Sequence, residues 1–135
     1  MSEPGKPLPH PTPETVEFWK ATKERRLLLK KCSDCGHFFF YPRILCPDCL
    51  STNVEWVPSK GTGTVHTFTI VHRAPSKGFE KDCPFAFALI ELEEGPRMIS
   101  NVVGCKPETV LIGMKVKVIF EDVNEEITLP KFEPA

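Results

Sequence analysis

The stretch Cys32-Ser33-Asp34-Cys35-Gly36, then, after ten residues between the inner cysteines, Cys46-Pro47-Asp48-Cys49, decides how the rest of the chain is read. Two Cys-x-x-Cys pairs supply four thiolates, enough to surround one metal ion tetrahedrally with each sulfur at about 2.3 Å for zinc. A two-residue spacer lets the N–H groups of a tight turn point back at the sulfurs. Gly36 suits the left-handed backbone that such a turn needs just after its second cysteine. Leu50 holds the equivalent place in the second pair, which predicts a less regular second turn. Pro47 fixes one backbone angle there and removes one donor. One structural zinc ion on Cys32, Cys35, Cys46 and Cys49 is the expectation. Two disulfides, or iron in the same sulfur cage, are its alternatives.

The outer bounds are ordinary. A chain of 135 residues makes one domain or two very small ones, and 41% hydrophobic with 26% charged residues suits a globular protein. No apolar run approaches the ~20 residues of a membrane span. Met1 to Pro13 lacks the apolar core of a secretory signal. Six cysteines without such a signal point to a reducing cytoplasm, which favours metal over disulfides. Cys83 and Cys105 are left over and read as semi-buried thiols. Net charge is −1, but residues 1–31 are basic, with Lys20, Lys23, Arg25, Arg26, Lys30 and Lys31 opposed locally only by Glu24, while residues 61–135 are acidic. Such a basic run meets phosphates, an acidic partner or, most often, only water.

In chain order, residues 1–12 read as an extended proline-rich lead and residues 13–25 as a helix capped by Thr12, with Pro13 in its first turn. That helix carries Phe18 and Trp19, large apolar groups that this chain or a partner must cover. Residues 26–60 form the metal ribbon: a strand through Leu27-Leu28-Leu29, an aromatic strand Phe38-Phe39-Phe40-Tyr41, and a closing strand Asn53 to Pro58. So small a unit has little core of its own, so one or two rings are expected to pack on neighbouring elements. From Gly61 the pattern alternates with period two. Thr64–His72, Phe85–Leu92, Arg97–Val103, the run through Met114, Val116, Val118 and Phe120, and Ile127–Phe132 are five strands. A short irregular piece, Lys106 to Leu111, falls between the third and fourth. The fold class is mainly β: an N-terminal helix, a ribbon, then, over 61–135, a five-stranded Greek-key barrel of the OB type.

Taken together, these residues carry a resemblance. Trp19, Leu27 to Leu29, the four-cysteine ribbon with Pro42-Arg43, Gly61-Thr62-Gly63-Thr64-Val65, Phe68-Thr69, Leu92, Gly95-Pro96-Arg97, Ile112-Gly113-Met114 and Leu129-Pro130 follow one another in order. The chain thereby resembles the acyl-CoA-associated proteins known as domain of unknown function thirty-five, which join a rubredoxin-like zinc ribbon to an OB-fold. The resemblance implies a non-catalytic accessory subunit of a thiolase-superfamily enzyme: a thiolase, a hydroxymethylglutaryl-CoA synthase assembly, or an aldolase that shortens sterol side chains. It implies that the partner carries the chemistry and that acyl-CoA lies at the shared interface. Phe18 and Trp19 are then the expected partner contacts, and Lys30, Lys31, Arg43 and Arg73 the cations available to CoA phosphates.

A search for catalytic signatures agrees with that role. The sequence has no Gly-x-Ser-x-Gly elbow, no phosphate-cradling loop and no His-Glu-x-x-His pair. Gly61-Thr62-Gly63 reads as a bend into the barrel. His66 and His72 are six residues apart on one strand and are expected on one face; Glu93 and Glu94 are expected to be solvated at a hairpin tip. A single-stranded nucleic-acid binder is the main rival, opposed by the acidic second half, because a groove that follows phosphates is basic. An iron-bearing electron carrier is the third class.

Overall fold

Strand-forming residues on either side of the cysteine stretch build two β systems. The computed structural model describes residues 9–74 and 77–135, so most of the expected proline-rich lead lies outside the described residues. In the first system β1 (Leu28–Cys32) is central, pairing antiparallel with β2 (Phe38–Phe39) and β3 (Val54–Pro58). The second is a closed barrel of β4 (Thr62–Val71), β5 (Phe85–Leu92), β6 (Arg97–Val102), β7 (Lys115–Asp122) and β8 (Thr128–Pro134). Their order round the barrel is β4-β5-β6-β8-β7, and β6 and β8 run parallel through the pair Val102↔Phe132. This is the Greek-key closure expected of an OB barrel. A 3-10 turn, Pro107–Thr109, crosses between β6 and β7 where the irregular piece was expected.

Alternation sets the core. On β5 the buried Ala86, Ala88, Ile90 and Leu92 alternate with more exposed Phe87, Leu89 and Glu91. Val65, Met98, Val102, Val116 and the fully buried Phe132 meet them inside the barrel. Glycine at 63 is required by a close approach: a Cβ there would strike the Glu91 carbonyl oxygen of β5. Gly61 has φ +77 and its carbonyl accepts from Val118 N at 2.7 Å, so the bend into the barrel is real and hydrogen-bonded.

The ribbon and barrel share one core. Leu27, Leu29 and Phe40 from the ribbon and Phe18 from the helix join the barrel cluster. The aromatic strand is therefore shorter than expected. Phe40 leaves the sheet after Phe39 to pack edge-on against Phe18 at 5.5 Å, and the Tyr41 hydroxyl accepts from Ile99 N of β6 at 3.1 Å. Burial of a large ring outweighs two further ladder hydrogen bonds. At the hairpin tip Glu93 is exposed and Glu94 half-buried, and both also carry contacts. Glu94 accepts from Ser59 Oγ at 2.9 Å and Lys60 N at 2.8 Å, and Glu93 accepts from Thr62 Oγ1, so both grip the link between ribbon and barrel.

Helix α1 spans Val16–Lys23, shorter than the expected 13–25. Thr12 does not cap it. Its carbonyl accepts from Thr15 N and Val16 N, its N–H donates to the Thr15 hydroxyl at 2.9 Å, and Thr15 becomes the N-cap residue. At the other end Arg25 adopts φ +63, a left-handed conformation that costs a non-glycine residue about 1 kcal/mol. Its guanidinium holds both Asp122 carboxylate oxygens, at 2.8 and 2.7 Å, clamping the helix to the end of β7. Arg25, with Thr128 Oγ1, holds the Asp122 carboxyl well below the usual carboxylate range. A depressed carboxylate pKa contributes stability above the unfolded value near 4, and that stability is lost as pH falls below it. The urea midpoint of wild type should therefore fall more steeply between about pH 4 and pH 2 than that of Asp122→Asn.

Candidate metal centre

The ribbon's two cysteine turns are copies of each other in backbone geometry. In the first, Gly36 N donates to Cys32 O at 2.9 Å and Cys32 N to His37 O at 2.9 Å. In the second, Leu50 N donates to Cys46 O at 2.9 Å and Cys46 N to Ser51 O at 2.9 Å. Gly36 has φ +78 and Leu50 φ +65. The expectation of a less regular second turn is thus corrected: the turn imposes its left-handed corner on leucine. Leu50 is 71% exposed, so its side chain contributes little packing. Leu50→Gly should relieve the corner and leave stability unchanged or raise it by up to about 1 kcal/mol, read as the midpoint of chemical unfolding.

The four sulfurs converge. Cys32 and Cys49 Sγ are 3.6 Å apart, as are Cys35 and Cys46 Sγ, and all four lie within 4.8 Å of one another. None is in a disulfide, which removes the disulfide alternative for this quartet. A tetrahedron of sulfurs about 2.3 Å from a central ion has edges of about 3.8 Å, so the donor set fits such an ion. The electrostatics agree. Backbone N–H groups, that of Cys35 first and then that of Asp34, help pull the Cys32 thiol down to about 7. Against the His37 and Ser51 N–H groups, desolvation and neighbouring sulfurs push Cys35 up to about 12 and Cys49 up as well. Four sulfurs this close become thiolates together only around a cation. Cys46 Sγ also accepts from Asp48 N at 3.3 Å.

With this geometry in place, relatives are informative. Residues 19–55 match the family described as the ChsH2 rubredoxin-like zinc ribbon domain, and residues 56–121 the ChsH2 C-terminal OB-fold domain. A DUF35 domain-containing scaffold protein of Methanocaldococcus jannaschii is 43% identical over 113 residues, covering 82% of this chain and 79% of that protein. This chain belongs to the DUF35 family. The DUF35 chain is also similar in structure to the chain described as Ltp2-ChsH2(DUF35) aldolase, with TM-score 0.83 and 35% identity over 94% of this chain and 98% of that one. A 3-oxo-4,17-pregnadiene-20-carboxyl-CoA hydratase alpha subunit of Mycobacterium tuberculosis is 36% identical over 114 residues, but this chain spans only 36% of it.

The other expected site residues are dispersed. Phe18 is only 5% exposed and belongs to the core, so the exposed Phe18/Trp19 pair reduces to a half-buried Trp19 stacked edge-on upon it at 5.0 Å. Lys30 and Lys31 alternate to opposite faces of β1, Lys30 Nζ lying 4.4 Å from the Trp56 ring and Lys31 Nζ 5.2 Å from Phe38. Arg43 lines a cleft with His37 and Arg97, whereas Arg73 is exposed beyond the end of β4. The two histidines do not share a face. A bulge between Val65 and Thr67 inserts His66 into β4 and reverses its alternation, and His72 follows the strand's end.

One feature escaped the sequence reading. A groove of about 400 Å³ lies where helix, ribbon and barrel meet, and Trp19, Tyr41, Phe87, Ile99 and Pro130 are among its walls. Phe87 and Ile99, 43% and 52% exposed, occupy outward positions on strands whose inward positions are already apolar. Apolar residues at outward period-two positions were the signal available in the sequence. Among the described residues no helix is long and apolar enough to cross a membrane.

Proposed function

We propose that this DUF35 chain is a non-catalytic accessory subunit that docks on a thiolase-superfamily enzyme and supports its acyl-CoA chemistry, with one structural zinc ion in its ribbon. The observation that carries the proposal is the likeness, over 94% of this chain and 98% of the other, to a chain whose description names an aldolase. The scaffold and hydratase-subunit names of the sequence relatives support the same division of labour. Four thiolates fill a tetrahedral site and leave no position for water or substrate, which suits a structural ion. Zinc, with no redox chemistry and a liking for thiolate, fits a scaffold better than iron.

The partner enzyme is assigned to the groove, with Trp19 as its central contact. Large aromatic side chains in a cleft are what interfaces use as anchors. The protein, tagged and purified from its native host, is expected to retain an enzyme that mass spectrometry identifies as a member of the thiolase superfamily. Trp19→Ala and Ile99→Glu should each abolish that co-elution while the bound metal stays at one ion per chain. Retention of no such enzyme would remove the reading; retention unaffected by both substitutions would move the docking surface elsewhere.

A further inference from the structure

The two cysteine turns are tied to each other by one carboxylate. Asp34 lies inside the first turn, and its Oδ2 accepts from two side chains that follow the second turn: Ser51 Oγ and, at 3.1 Å, Asn53 Nδ2. Backbone contacts extend the tie. Ser33 N donates to Asn53 O at 2.8 Å, Asn53 N to Ser51 Oγ at 3.0 Å, and Cys46 N to Ser51 O at 2.9 Å. The connection is one-sided. Asp48 holds the matching place in the second turn, but the positions matching Ser51 and Asn53 are His37 and Phe39, whose rings stack at 6.1 Å instead. A carboxylate beside four thiolates is repelled by them. Two convergent donors from across the site give it a reason to be there.

We propose that Asp34 is a positioning residue for the ion: it holds the two cysteine turns at the separation the metal needs and so governs how slowly the metal leaves. This rests on the reading that the four sulfurs hold an ion. Both 3.6 Å sulfur pairs, Cys32–Cys49 and Cys35–Cys46, span the two turns, so release requires the turns to part. With Asp34 in place, breaking one sulfur–metal bond leaves the turns joined, and the free sulfur recaptures the ion before a chelator takes it. Groups hydrogen-bonded directly to metal ligands change metal affinity by about 10- to 100-fold, and Asp34, which acts on the turns rather than on a sulfur, is assigned the lower end of that range.

The test follows Zn2+ release from the full chain into excess chromogenic chelator. Asp34→Ala and Asn53→Ala should each release zinc about tenfold faster than wild type. The double variant should be no faster than Asp34→Ala alone, because Asn53 acts through Asp34. Asp34→Asn keeps an acceptor oxygen and should recover most of the slow release. Loading with Co2+ reports the cage directly: thiolate-to-cobalt and d–d bands are expected in every variant, so that faster release is not unfolding. Should Asp34→Ala fail to fold, Asn53→Ala and Asp34→Asn carry the same comparison. Wild-type release rates in Asp34→Ala and Asn53→Ala, or additive effects in the double variant, would overturn the proposal. A wild-type protein that takes up neither ion would instead overturn the metal reading on which it rests.

Discussion

Cys32→Ser leaves the ribbon, residues 26–60, unfolded. Cys32 is fully buried at the end of β1, and the three-stranded sheet around it is short, with β2 only two residues long. Structural zinc supplies roughly 10–16 kcal/mol of folding free energy in small cysteine-histidine units. A whole domain is stable by only about 5–15 kcal/mol, so nothing else in the ribbon replaces the ion. The loss also reaches the barrel, because Leu27, Leu29 and Phe40 leave the shared core with the ribbon. The expected result is a protein without bound metal, cleaved by protease within 26–60, whose barrel melts earlier than that of wild type. Removing the ion from wild type with a strong chelator should reproduce the phenotype. A Cys32→Ser protein with the wild-type NMR spectrum and melting curve would show that the ribbon stands without its ion.

The second large effect belongs to barrel closure. Phe132 is fully buried and sits where β8 faces both neighbours, opposite Val102 on β6 and Val118 on β7, with Val103 N donating to its carbonyl at 2.7 Å. The β6–β8 ladder consists of this one parallel pair, beside which Ser100 Oγ donates to the Pro130 carbonyl at 3.0 Å, so the Phe132 ring carries much of the packing at the seam. Phe132→Ala should cost about 3–5 kcal/mol, the sum of lost burial and the cavity left behind. The midpoint of thermal unfolding should fall by roughly 10–20 °C. Ile112→Ala, at a position 69% exposed, is the control and should change stability by less than about 0.5 kcal/mol. Equal midpoints for Phe132→Ala and the control would mean that the seam is closed by something other than this ring.

Local chemistry explains which expectations held. The strand Phe85–Leu92 was legible to the residue because strict alternation with period two has one solution once one face must be dry. The four-thiol cluster was legible because Cys-x-x-Cys spacing closes a turn by itself, and the four thiols do converge. The second turn was misjudged because residue preference is weaker than the geometry that two cysteines impose, so Leu50 takes a corner that glycine would take more cheaply. His66 lies on its expected strand, but the face it was expected to share with His72 was misjudged because a bulge has no signature in the alternation around it and β4 ends at Val71. Glu93 is exposed as expected, but the hydrogen bonds of Glu93 and Glu94 were not legible because their partners, Ser59 to Thr62, lie about thirty residues away in the chain.

Periodicity and cysteine spacing, both short-range, determined by themselves that this chain is a four-thiol ribbon followed by a five-stranded barrel. Only the tertiary structure decided that ribbon, helix and barrel share one core, that Phe18 is inside it while Trp19, Phe87 and Ile99 border an apolar groove, and that Asp34 reaches across to Ser51 and Asn53. Which of two neighbouring aromatic residues faces inward, and which distant donor meets a carboxylate, depend on how separate elements dock, and that is set by packing across the whole molecule.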